Sequence, residues 1–108
     1  MSSLEERLRA LSPAALKGMR RGIEKESLRV QPSGALALTP HPAALGSPLT
    51  NPRITTDFCE SQAELITGVH ASVEGCLEEV TQIHQFVYRA IGDEMLWVAS
   101  MPCGLPTD

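Results

Sequence analysis

Five acidic residues carry the chemistry open to this sequence. Glu24 and Glu26 stand two apart in "GIEKES", and Asp57, Glu60 and Glu64 follow in "TTDFCESQAE". On a strand, residues i and i+2 point to the same face, about 6.5–7 Å apart along the chain. Two carboxylates held that way repel, unless a cation sits between them and a ligand. Hard oxygen donors of this type suit Mg²⁺ or Mn²⁺, which take one or two protein carboxylates and complete their shell with water and phosphate oxygens. Glu60, Gln62 and Glu64 share strand parity if that stretch is extended, and on a helix Glu60 and Glu64 would share a face at i, i+4. Either reading aims both carboxylates one way. Acidic pairs on a solvated strand face are common, and spacing alone favours that plainer reading over a metal. No EF-hand, HExxH, P-loop or GxGxxG pattern occurs.

The other candidates are weaker. His41, His70 and His84 are far apart, and His84 falls beside an apolar helical seam, where packing is the simpler role. Cys59, Cys76 and Cys103 are odd in number and lack a CxxC, which argues against a disulfide framework or structural zinc and for free thiols. Arg20, Arg21 and Arg29 alternate with the acidic positions, as partners for carboxylates or for phosphate.

The elements that must position these groups are legible in outline. "SLEERLRAL" at 3–11 reads as a short helix with a Ser3/Glu6 capping box. Residues 19–30 read as a strand, "QPSG" at 31–34 as a turn and "ALAL" as a return strand, making 20–38 a hairpin. Residues 39–53 carry four prolines and read as a loop with one helical turn at Pro42–Leu45. Residues 54–68 favour extended structure through Glu64–Thr67. Residues 71–92 give a long amphipathic helix: Val73, Cys76 or Leu77, Val80, Ile83 or His84, Val87 and Ala90 or Ile91 form its seam, Ser72 caps it and Gly92 ends it. "MLWVAS" at 95–100 reads as a buried strand. The class expected is α+β, with antiparallel strands, flanking helices and no internal domain boundary.

Composition narrows the function further. The 108 residues carry a net charge of −4 and no basic run longer than Arg20–Arg21, so nucleic acid has little to hold. No apolar stretch is long enough to span a membrane, and "MSSLEERLRA" has no signal-peptide core. Aromatic residues make up only 4%, a thin core that suggests part of a larger unit.

Three separated blocks, "LKGMRRGIEKESLRV", "ITTDFCESQAELITG" and "LWVASMPC", resemble in order and spacing the N-terminal part of the proteobacterial glutamate–cysteine ligases. The resemblance runs from about residue 15 to the end and implies an N-terminal fragment of a single larger catalytic domain with a glutamine-synthetase-like fold. It implies a cytoplasmic enzyme that joins the γ-carboxylate of L-glutamate to the amine of L-cysteine through γ-glutamyl phosphate, with ATP as co-substrate and Mg²⁺ (or Mn²⁺) as cofactor. Glu24, Glu26, Asp57 and Glu64 match the family's metal-binding positions. Glu60 matches another acidic position, and Ser100, Met101 and Pro102 match a block that lines the substrate pocket. The phosphate-clamping arginines and the cysteine pocket are expected downstream, so these residues alone are expected to be inactive and to self-associate through unpaired edges. Two other readings stand beside this one: an α+β interaction module that binds through the 71–92 helix, and a stand-alone divalent-cation binder.

Overall fold

The computed structural model describes residues 3–56 and 59–107. Four strands, β1 (Glu24–Val30), β2 (Ile54–Thr55), β3 (Gln62–Ile66) and β4 (Met95–Leu96), form one sheet in the order β2-β3-β1-β4. All three pairings are antiparallel. Two short helices, α1 (Leu4–Arg9) and α2 (Pro13–Lys17), precede the sheet, and a long one, α3 (Val73–Ala90), covers one of its faces. The observed class is the α+β architecture that the sequence leads one to expect.

The pleat divides β1 between two environments. Lys25, Ser27 and Arg29 face α3, in register with Leu65, Ala63 and Leu96. Glu24, Glu26 and Leu28 face the other way. The core lies between sheet and helix: Ile54, Ala63, Leu65 and Leu96 meet Ile83, Val87 and Ile91, with Leu45 closing one end. Leu45 arrives on a 3₁₀ turn, Ala43–Leu45, the single helical turn foreseen in the proline-rich loop. Asn51 fixes that loop, donating from Nδ2 to the Leu45 carbonyl (2.8 Å) and accepting at Oδ1 from the Arg53 and Ile54 amides.

α3 begins at a Ser72 cap, whose Oγ accepts the Gly75 amide at 3.0 Å. Such a cap contributes about 1 kcal/mol. Gly92, at φ +67°, turns the chain out of the helix. The buried positions are Cys76, Ile83 and Val87, continued by Ile91. Val73 and Leu77, expected in the seam, are 62% and 58% exposed, because spacings of seven and four from Cys76 follow the 3.6-residue period and leave 73 and 77 off the stripe. α1 has the full Ser3/Glu6 capping box, yet neither α1 nor α2 buries a residue.

Three expected elements differ in extent. The strand read over 19–30 begins only at Glu24. Before it, Gly22 passes so close to Gly68 that a Cβ would lie 3.2 Å from the Gly68 carbonyl oxygen, and Arg21 pairs with His70 as an isolated bridge. The hairpin over 20–38 keeps its turn, with the Gly34 amide donating to the Gln31 carbonyl (2.8 Å) and Gly34 at φ +86°. Its return stretch is no strand, however: Leu36 bridges Val30 while Ala35 bridges Gly104. The strand over 95–100 stops at Leu96. The Trp97 amide still reaches the Leu28 carbonyl (2.8 Å), but the Trp97 indole N–H donates to the Met101 carbonyl (2.7 Å) and folds the chain into a loop, leaving Val98 92% exposed.

Candidate functional site

Glu24, Glu26 and Glu64 stand on the sheet face away from α3. In the β1–β3 register Glu26 lies directly across from Glu64, and Thr55 of β2 lies across from Glu64 on its other side. Glu24 is two residues back on the same face, opposite Ile66. Directly opposed side chains in an antiparallel pair have Cβ atoms about 4.5–5.5 Å apart, and like charges so placed destabilise the pair. Gln62, diagonal to Glu26, donates from Nε2 to Glu26 Oε2 at 2.9 Å.

Beside this row is a hollow of about 400 Å³, walled by Glu26, Leu28, Gln62, Trp97 and the Ser100–Met101–Pro102 segment. The structure therefore brings together Glu26 and the 100–102 block from opposite ends of the sequence. Asp57 lies outside the described residues. Among the described residues no three acidic, histidine or cysteine side chains form a group able to hold a metal. The opposed pair Glu26 and Glu64 nevertheless fits a hard cation such as Mg²⁺, which takes only one or two protein carboxylates.

Glu60 is not part of the row. It sits in the turn before β3, where its Oε1 accepts the His41 amide at 3.0 Å. The parity that joined it to Glu64 fails because the Gln62 amide bonds back to the Cys59 carbonyl (3.1 Å) and the chain is not yet extended there. Sequence reading noted Gln62 for its parity but gave it no role. Trp97 and Leu28 were not singled out as lining either, although Leu28 shares the parity of Glu26.

Two arginines outside this row build the scaffold. Arg29 is fully buried and pairs with Glu94 at 2.6 Å, on the helix side of the sheet. Arg21 donates to the Ala71 and Met19 carbonyls. His84 stacks against Tyr88 with ring centroids 4.9 Å apart. Burial, with Lys25 nearby, pushes its pKa down, and burial likewise lowers that of Lys25. Cys59 is exposed, Cys76 and Cys103 are buried, and all three are free thiols.

Glu79 of α3 clamps the β3–α3 connection. It takes hydrogen bonds from His70 Nε2 (3.0 Å) and the Gly68 amide, with Arg53 Nε 3.6 Å away. The His70 bond, then the Gly68 bond, holds its carboxyl below the usual range. A carboxylate with a depressed folded-state pKa adds stability that is fully present above its unfolded value, about 4.3 for Glu, and is lost as pH falls through the folded value. Glu79→Gln is therefore expected to be less stable than the parent at pH 7, with the gap closing as pH drops below about 4. Parallel urea titrations at several pH values check this, and a gap that persists at the acid end would contradict it.

No helix among the described residues is long and apolar enough to cross a membrane. The seam proposed as a partner-binding face on the 71–92 helix is occupied by the chain's own core.

Known proteins share this sequence and this fold. The family model for glutamate-cysteine ligase matches residues 6–108. A glutamate–cysteine ligase of Alcanivorax borkumensis is 52% identical over 112 aligned residues, covering 100% of this chain and 21% of the relative. One from Edwardsiella ictaluri is 57% identical over 91 residues, covering 84% of this chain and 18% of the relative. The crystal structure of a glutamate–cysteine ligase from Francisella tularensis in complex with AMP superposes with a TM-score of 0.78 at 42% identity, over 81% of this chain and 18% of that one. A bifunctional glutathione synthetase from Pasteurella multocida gives 0.77 at 44% identity, over 81% of this chain and 12% of that one. The chain thus spans about a fifth of the length of the curated relatives it matches.

Proposed function

Because the chain belongs to the glutamate–cysteine ligase family, we propose that it supplies one acidic wall of an ATP-dependent ligase. That ligase joins the γ-carboxylate of L-glutamate to the amine of L-cysteine. The observation that carries this reading is the placement of Glu26 across from Glu64 at the rim of a hollow walled by Ser100–Pro102. The AMP held by the Francisella relative supports a nucleotide at the family's site.

Glu24, Glu26, Asp57 and Glu64 are the residues that would hold Mg²⁺ (or Mn²⁺). The bound cation would offset nucleotide charge so that an anionic carboxylate can approach the γ-phosphoryl group. The chain's own part is positional. The β1–β3 ladder fixes the Glu26–Glu64 spacing, and the Trp97–Met101 hydrogen bond shapes the loop that closes one side of the hollow. These residues belong to a single larger catalytic domain, and the reducing cytoplasm is the setting that suits a thiol substrate and three free cysteines.

In the full-length protein, phosphate release from ATP is expected only when glutamate and cysteine (or 2-aminobutyrate) are both supplied. The 108-residue chain alone is expected to release none. Phosphate release that ignores the amino acids, or that follows a different pair, would overturn the proposal.

A further inference from the structure

We propose that Gln62 is a positioning residue, whose side-chain amide holds the Glu26 carboxylate in the orientation that lets it share a cation with Glu64. The inference rests on the reading of this face as a metal site and deepens it. Gln62 is only 9% exposed although it lies on the open face of the sheet, and its Nε2 donates to Glu26 Oε2 at 2.9 Å. The amide can present only its NH₂ to a carboxylate, since its own oxygen would repel, so chemistry fixes the direction of the bond.

The register explains why such a bond is needed. Glu26 faces a second carboxylate directly across the ladder, and Gln62 is the next residue along β3 on that face, paired with Leu28. Left to itself, an exposed Glu26 side chain would swing away from Glu64 into solvent. A hydrogen bond to one carboxylate oxygen of Glu26 counters that swing and leaves the other oxygen for a ligand. Gln62 is neutral, so it orients the carboxylate without neutralising the charge that attracts the cation. A lysine in its place would pair with Glu26 and compete with the metal. Hydrogen-bond partners that orient metal-binding side chains are typically worth 10–100-fold in affinity.

The test uses Mn²⁺ binding to the full-length protein, read by electron paramagnetic resonance without nucleotide, in parent, Glu26→Gln, Gln62→Met and the double variant. Gln62→Met is expected to weaken Mn²⁺ binding about 10-fold in protein that remains folded, and to have no further effect in the Glu26→Gln background. If Glu26→Gln itself leaves Mn²⁺ binding unchanged, the metal-site reading falls and this inference with it. If Glu26→Gln weakens binding while Gln62→Met does not, or if the two effects simply add, Gln62 does not act through Glu26 and the inference alone fails. Should Gln62→Met not fold, Gln62→Asn keeps the amide but withdraws it by about 1.5 Å. It is expected to show the same loss, and parent-like binding by that variant would overturn the proposal.

Discussion

Glu26→Gln in the full-length protein is expected to lower glutamate- and cysteine-dependent ATP turnover by more than about 100-fold, since removing a metal-binding oxygen should cost at least as much as removing a group that only orients one. The same change is expected to raise the melting temperature of the metal-free protein. Glu26 stands opposite Glu64 in the ladder. Relief of one directly opposed like-charge pair is worth roughly 0.2–1 kcal/mol. Activity and stability thus move in opposite directions, and this separates the readings. On a merely solvated face, the variant would gain the stability and lose no turnover. Turnover assays at saturating Mg²⁺, paired with melting in chelator, give both numbers from one preparation. Retained turnover would remove Glu26 from the site.

Arg29→Ala is expected to be the most damaging single change for stability, costing about 3–5 kcal/mol out of a total of about 5–15 kcal/mol for an ordinary domain. Arg29 is 0% exposed and Glu94 only 12%. Its Nη1 donates to Glu94 Oε1 (2.6 Å) and Thr39 Oγ1 (2.7 Å), and its Nη2 to the Thr39 and Glu60 carbonyls (2.7 and 3.1 Å). Thr39 in turn donates to Glu94 Oε2 at 2.6 Å. One guanidinium therefore ties β1 to the turn before β3, the proline-rich loop and the segment before β4. Removing it strands a nearly buried carboxylate and two carbonyls. Arg29→Met restores volume but no donor and should recover little, whereas Arg29→Met with Glu94→Gln removes the stranded charge and should recover more. Urea denaturation of the three variants measures the order. A loss below about 1 kcal/mol for Arg29→Ala would mean the pair is screened as a surface pair is.

What could be read from the sequence was local. The Ser3/Glu6 box, the Ser72 cap, the Gly92 stop and the Pro-Ser-Gly turn each depend on residues within four positions of one another, and each appears as expected. The family blocks were legible for a similar reason, since each is a short contiguous run. What could not be read was pairing. β1 finds its partners in β3 and β4, with Glu26 meeting Glu64 and Arg29 meeting Leu96, rather than in the adjacent "ALAL" stretch. Parity places Glu26 on a face but names no strand opposite it. The same limit hid Arg29, which alternates like any surface arginine until Glu94 and Thr39 close over it. It also misplaced Glu60, where parity was extended into a turn.

The alternation along β1 has a consequence for how this gene can change. Swapping one residue for another in "EKESL" alters one face at a time, but losing or gaining a single codon there would exchange the faces. Lys25, Ser27 and Arg29 would turn outward as Glu24, Glu26 and Leu28 turned toward α3. Both the acidic row and the packing under the helix would fail together, whereas a substitution disturbs one face and leaves the other in place.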